Sequence, residues 1–372
     1  MSPHGITTVA KQEFRLRIRA GRWRWLLGIW FAILLLFTSL LRAALGGFTR
    51  DDIVDKGIVI YGGLMLFVLG LALLVVPALA AQSVNGDRER GTLATLQVTR
   101  LSAADICLGK FAAAWGTALV FLALSLPLVG YAVTQKGVPV GRVVVVTVVL
   151  ALLLGTVCAV SLALSALLSR TTTSGVLAYL AVFALTIGTL ICFALTTAIT
   201  TEKYTETYGA QPCPDTSQLA KMDPILRAQI LGTCGRPTPM QESRARTDRT
   251  WWLLAPNPFV ILADAAPQLS PLSAEEKRRR ANGGDYVQDA RDLDPLGGIG
   301  RAVRDLRKPP ARNVASFSYT PLTDTRSAAP KRRPVWPYGL SFDVLLATLA
   351  LWLTTRRLST PTRNLPKGQR VA

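Results

Sequence analysis

The sequence contains one histidine, His4, among its 372 residues. Ser-His-Asp catalysis, histidine metal sites and the H-E-x-x-H peptidase motif all need histidines that the chain does not have, so we expect none of these chemistries. A G-x-x-x-x-G-K-[ST] phosphate loop is also missing, because Gly109-Lys110 is followed by phenylalanine and lacks the earlier glycine. The chain is therefore not expected to bind ATP through such a loop.

Charged residues make up only 17% of the chain, whereas half of the residues are hydrophobic and occur in long blocks. This pattern is typical of a polytopic membrane protein rather than of a soluble core. A bilayer core of about 30 Å needs roughly 20 apolar residues of helix. Six runs approach that length, of which the first and last are the shortest: Trp25–Leu41, Gly57–Ala81, Phe111–Thr134, Val143–Leu168, Gly175–Thr200 and Tyr338–Leu353.

Acidic residues are missing from the first five of these runs, and Asp343 lies near one end of the sixth. Carriers driven by protons or sodium usually need ionisable groups within their spans. Ion-coupled transport therefore remains only an alternative.

Basic residues flank the runs at both ends of the sequence. Before the first run there are six, against the single acid Glu13, and after the last run there are five and no acid. Lys and Arg mark the cytoplasmic side, so we expect both termini in the cytoplasm and an even number of spans. The predicted protein is all-α, with six helices crossing a bacterial plasma membrane, and residues 356–372 form a basic cytoplasmic tail.

The N-terminal segment, residues 1–24, favours an amphipathic helix at the membrane interface. Lys11, Arg15 and Arg19 recur at helical spacing beside an apolar face that includes Phe14 and Ile18. The alternation of apolar and basic residues over 14–19 leaves a strand as the alternative. The net charge of +19 is assigned to contact with anionic membrane lipid and not with nucleic acid.

Residues 201–336 form a large polar region between the fifth and sixth spans (the sixth at 337–355), and the six-span topology places it outside the cytoplasm. Cys213 and Cys234 lie in it and could form a disulfide in an oxidising compartment; the alternative is two unpaired thiols.

Within this polar region, the apolar stretch near 251–266 is interrupted by two prolines. It is too short to span, so we expect a re-entrant or interfacial segment.

A polar segment, Ser83-Val-Asn-Gly-Asp-Arg-Glu-Arg-Gly-Thr-Leu93, joins the second and third runs. Asn85-Gly86 predicts a turn, Gly91 a positive φ, and Ser102 with Asp105 a capping box that starts the third span. With Leu96, Arg100 and Leu108-Gly109-Lys110, this segment resembles the first cytoplasmic loop of the membrane (permease) subunits of ABC-2 type transporters.

The resemblance implies that residues 83–110 form a coupling loop between the second and third spans, and that this loop contacts a separate ATPase subunit. The residues implied in that contact are Glu89, Arg90, Gly91, Thr92, Leu93 and Leu96. ATP and Mg would be bound by the partner, and a second permease copy or a similar chain would complete the dimer. Substrate would be exported along a path between the two membrane subunits, lined mainly by the second and fifth spans. A solvated hairpin in a non-transporting sensor or scaffold is the alternative.

The topology can be tested through the two cysteines of the polar region. After mild reduction of intact cells, a membrane-impermeant thiol reagent should label Cys213 and Cys234, because both lie in the region placed outside the cytoplasm. A reporter fused after Ala372 should remain cytoplasmic. Labelling that requires permeabilised membranes would contradict the six-span topology.

Overall fold

A computed structural model describes residues 2–19, 21–47, 56–89, 91, 101–208, 223–233, 238–269, 293–308 and 333–359. The chain divides into two compact units. The first comprises residues 1–190, 253–304 and 334–372, and the second comprises residues 191–252 and 305–333.

Helices dominate the part of the chain that the structure describes. In chain order the first elements are α1 Pro3–Arg19, α2 Arg22–Gly47, α3 Lys56–Ala80, α4 Asn85–Glu89, α5 Ala103–Thr134, α6 Val140–Leu167, α7 Thr171–Phe183, the π-helical turn Ala184–Gly188 and α8 Thr189–Ile199. They are followed by β1 Glu202–Tyr208, α9 Pro224–Thr233, β2 Thr238–Arg244, α10 Thr247–Thr250, the 3₁₀ turn Trp251–Leu253, α11 Pro258–Ala265, α12 Pro295–Asp305 and α13 Trp336–Leu358.

Within the described residues, six helical stretches are long and apolar enough to cross a membrane, which confirms the predicted number. The first and last of them, with 24 and 23 residues, are the shortest, as their apolar runs indicated. Both helices include flanking residues that the apolar runs excluded, such as Trp23 and Arg356. Long polar side chains at helix ends can reach water from an apolar position, so a charge does not end a span.

The first unit is built around α3. Leu64, Met65, Val68 and Leu69 in the middle of this helix are completely buried, and they form one cluster with side chains from α2, α5 and α6. The indole of Trp30 on α2 donates a hydrogen bond to the carbonyl of Phe121 on α5, over 3.1 Å. Spans two, three and four thus form the interior of the unit, and the first span packs on its side.

The N-terminal segment is a helix and not a strand, and it contacts the protein through a side different from the apolar face expected at the membrane. Gly5 and Val9 are buried, whereas Ile18, assigned to the apolar face, is 49% exposed. The helix packs beside the first turns of α5. At 32 residues, about 48 Å, α5 is longer than the hydrocarbon layer is thick, so one end can extend beyond it and provide this contact.

A glycine makes the close approach of these two helices possible. A Cβ atom built on Gly109 of α5 would lie 2.6 Å from the Cβ of Val9 and 3.1 Å from the carbonyl oxygen of Ile6. No side chain fits between the helices at this point. Gly109 is therefore a packing residue of the α1–α5 contact.

In the second unit, the structure contains a two-stranded antiparallel ribbon that the sequence analysis did not predict. Strands β1 and β2 pair with Glu202 opposite Arg244. Beside the ribbon, Arg246 donates hydrogen bonds to Glu202 and to Asp248. These bonds hold the pKa of Asp248 below its usual range.

The stretch near 251–266 contains α11, which is only eight residues long and buried in the first unit. Asn257 caps it by accepting hydrogen bonds from the backbone N–H groups of Phe259 and Val260. At the other end, the carboxylate of Asp264 accepts from the backbone N–H groups of Val335 and Trp336 and from Arg304. Asp264 thus joins α11, α12 and the start of α13.

The role of Gly109 can be tested with an alanine substitution. Gly109→Ala should destabilise the protein by about 1–3 kcal/mol, because the added methyl group overlaps Val9. Gly116→Ala, on the same helix, is the matched control, because nothing lies within 4 Å of a Cβ at that position. It should be neutral or stabilising by up to about 1 kcal/mol. Thermal unfolding in detergent would measure both; equal effects would exclude a packing role for Gly109.

Candidate functional site

The segment that joins the second and third spans begins with a turn and a short helix. After α3 ends, residues 81–84 form a turn, and Asn85–Glu89 form α4. The turn predicted at Asn85-Gly86 is therefore incorrect, since the turn comes earlier and these residues already lie in the helix. Asn85, Gly86 and Asp87 are buried, so this polar segment is not a solvated hairpin in its first half.

The backbone of α4 is fixed to the end of the fourth span. The hydroxyl oxygen of Ser165 accepts hydrogen bonds from the backbone N–H groups of Val84 and Asn85, at 3.2 and 3.1 Å. The side-chain amide of Asn85 donates to the carbonyl of Arg170, at 3.3 Å. Initial N–H groups of a helix have no partner within the helix, and here α6 provides one.

Arg88 extends the same contact. One of its terminal nitrogens donates to the carbonyl of Leu168 and the other to the carbonyl of Ala166, both at 3.2 Å. These carbonyls lie at the C-terminal end of α6, where backbone oxygens lack helical partners and the helix dipole favours a cation. Arg88 therefore caps α6.

Glu89 contacts the beginning of the fifth span. Its carboxylate accepts a hydrogen bond from the hydroxyl of Thr171 at 2.9 Å and from the backbone N–H of Thr171 at 3.4 Å. Thr171 is the first residue of α7, where a negative charge is favourable. Glu89, expected to contact a partner protein, thus also joins α4 to the connection between the fourth and fifth spans.

Asp87 is directed to the opposite side, toward Lys110 of α5. The ammonium group of Lys110 has no exposed surface and pairs with the carboxylates of Asp87 and of Glu13 on α1. It also donates to the carbonyl of Ser83, at 3.0 Å. Lys110 lies inside the protein, where two acids and a carbonyl replace its hydration.

Arg17 strengthens the attachment of α1 to α5. Its guanidinium donates to the hydroxyl of Thr117 at 2.9 Å. Burial lowers the pKa of Arg17, and the neighbouring carboxylate of Glu13 acts in the opposite direction. With Glu13, Asp87 and Lys110, this residue forms a group of two acids and two bases, which we call the lysine cluster; Asp87 and Lys110 are buried, and Glu13 and Arg17 are half-buried.

The remaining predicted residues are described only in part. Gly91 has φ +71°, which confirms the expected positive φ, and nothing lies within 4 Å of a Cβ built on it. Ser102 and Asp105 form the predicted capping box at the start of α5, with both reciprocal hydrogen bonds present. Arg90, Thr92, Leu93 and Leu96, as well as Cys213 and Cys234, lie outside the described residues.

Sequence reasoning missed the lysine cluster, although it quoted three of the four residues. Glu13 is the single acid in a basic N-terminal segment, which is unusual enough to suggest a specific partner. Its partner lies 97 residues away, and no local pattern indicates which lysine it is.

The polar side chains of α4 join it to α1 and α5 on one side and to the ends of α6 and α7 on the other. No group of three or more histidine, cysteine or acidic residues suited to a metal ion occurs within the ranges that the structure describes.

No protein-family model and no curated protein sequence matches the chain.

The lysine cluster predicts an order of stability among variants. Lys110→Met should destabilise the protein most, by about 3–5 kcal/mol, because it removes the buried cation that pairs with both carboxylates. Glu13→Gln and Asp87→Asn should each cost less, because Lys110 keeps one acidic partner. Lys11→Met, which removes an exposed lysine of α1, is the control and should have little effect. Unfolding temperatures in detergent would measure the series; a Lys110→Met variant as stable as the control would contradict the role of the cluster.

Proposed function

We propose that this chain is the membrane-spanning subunit of an ABC-2 type transporter, which exports substrate with energy from ATP hydrolysed by a separate subunit. The observation that carries the proposal is the position of α4. The segment that resembles the coupling loop of that family follows the second span. Its residue Asp87 belongs to the lysine cluster, and Arg88 and Glu89 bind the α6–α7 connection.

Force applied to α4 would have two routes into the membrane part. Through Asp87 and Lys110 it reaches α1 and the third span, and through Arg88 and Glu89 it reaches the fourth and fifth spans. Packed elements with defined contacts transmit such displacements as rigid bodies. The ATPase would press on the exposed side of this segment, where Glu89 and Gly91 lie.

An open groove supports the expected route for substrate. It has a volume of about 560 Å³ and lies between the second span, the first part of the fifth span and α11, and lining side chains such as Leu74 and Val176 are more than half exposed. Its lining is apolar apart from Thr186 and Tyr179, and the hydroxyl of Tyr179 already donates to the carbonyl of Leu74. In the proposed function, an apolar substrate would pass here, in an assembly completed by a second permease subunit and surrounded by membrane lipid.

The proposal is tested at Gly91 with two substitutions that differ in backbone preference. Asparagine tolerates a positive φ and valine does not, so Gly91→Asn should keep transport and Gly91→Val should lose it. Both variants should insert normally, since the position is exposed. Transport by membrane vesicles and co-purification of an ATPase are the two measurements. Transport driven by an ion gradient without any ATPase would contradict the proposed function.

The proposed contact of Glu89 with the partner can be distinguished from its contact within the chain by changing Thr171. The variant Thr171→Val removes the hydroxyl that binds the carboxylate of Glu89 and leaves the carboxylate in place. Glu89→Lys should lower transport and ATPase co-purification, whereas Thr171→Val should retain most of both. Equal losses in the two variants would assign Glu89 to capping α7 alone.

A further inference from the structure

The sixth span carries an acidic residue on its buried face. The buried residues of α13 are Gly339, Asp343, Ala350, Thr354 and Leu358. Their spacing of four, seven, four and four residues places them along one side of a helix. Apart from Asp343, this side consists of small or apolar residues and a threonine, so Asp343 projects into the helix bundle and not toward lipid.

The neighbours of Asp343 are helices packed closely against α13. One turn before it, a Cβ atom built on Gly339 would lie 2.7 Å from a side-chain carbon of Ile261, and still closer to the carbonyl oxygen of Ala255. Beside it, the hydroxyl of Thr156 on α6 is 3.4 Å from the backbone carbonyl of Asp343. Two turns further on, Ala350 packs against Ala159 and Ala163.

The carboxyl group itself has no partner among the residues that the structure describes. Asp343 is 1% exposed, and its Oδ1 atom is buried without a hydrogen bond. A carboxylate there would be an uncompensated charge within a membrane span. The neutral acid avoids that cost.

No cation on the packed elements is placed to compensate this charge. Arg142 of α6 pairs with Asp294, and Lys110 of α5 pairs with Glu13 and Asp87. The other charged and titratable groups on these elements are Asp105, Cys107 and Tyr131 of α5, Cys158 of α6, Asp264 of α11, and Tyr338, Arg356 and Arg357 of α13 itself. The arginines of α13 lie 13 and 14 residues from Asp343, about 20 Å along the helix.

We propose that Asp343 is a proton-binding site within the sixth span. The proton is held while α13 packs on α6 and α11, and its release to water requires water or a cation to enter between these helices. Separation of α13 from α6 is thereby linked to deprotonation. This site goes beyond the proposed function and does not depend on it, because it follows from the burial of the carboxyl group alone.

Infrared spectroscopy of the full chain in lipid vesicles tests the site directly. At neutral pH, where an ordinary aspartate with a pKa of about 3.9 is ionised, the protein should show the carbonyl stretch of a protonated carboxylic acid. The isosteric Asp343→Asn should remove this band, and Asp343→Leu should remove it as well. Asp248→Asn is the control and should leave the band unchanged, because Asp248 is bound by Arg246 outside the spans.

Titration gives the second measurement. The band assigned to Asp343 should fall as the pH is raised, with carboxylate bands appearing in its place, and Asp343→Asn should show neither change. If the difference between wild type and Asp343→Asn contains carboxylate bands at neutral pH, Asp343 is ionised and the proposal is wrong. Loss of the band in Asp248→Asn would likewise overturn the assignment.

Discussion

The buried ammonium group of Lys110 is the interaction on which the packing of α1, α4 and α5 depends. A lysine without exposed surface is tolerated only where other groups replace water, and Glu13, Asp87 and the carbonyl of Ser83 do so. Because these groups belong to α1, α4 and the preceding turn, satisfying one charge fixes three separate segments. The orientation of α4, and with it of Arg88 and Glu89, follows from this constraint.

Polar groups elsewhere in the first unit obey the same rule. Asp264 gathers two backbone N–H groups and an arginine at the start of the sixth span. Arg142 pairs with Asp294 although both are almost completely buried, so their charges compensate each other even though Nε and Nη1 of Arg142 and Oδ1 of Asp294 have no hydrogen bond among the described residues. In apolar surroundings an unpaired polar group is costly, so such pairs determine which segments can pack together. Asp343 departs from this rule, since protonation is the only means it has to remain uncharged.

Features set by neighbouring residues could be predicted from the sequence. The six spans follow from apolar length, the capping box from the spacing of Ser102 and Asp105, and the positive φ from Gly91. Features that join distant parts of the chain could not, because periodicity carries no information on which residues meet. Lys110 with Glu13, Glu89 with Thr171 and the pairing of β1 with β2 are of this kind. Asn85 was misassigned because its turn preference yields to the contact with Ser165.

The π-helical turn in the fifth span constrains the chain in another way. The side-chain amide of Asn257 donates to the carbonyl of Thr186 at 2.7 Å and to the hydroxyl of Thr189 at 2.9 Å, so the wide turn is held by a residue outside the helix. A π turn contains one residue more than the α-helical turn it replaces, and one residue rotates a helix by about 100°. The number of residues in this helix is therefore constrained, and insertions or deletions there are tolerated less than substitutions.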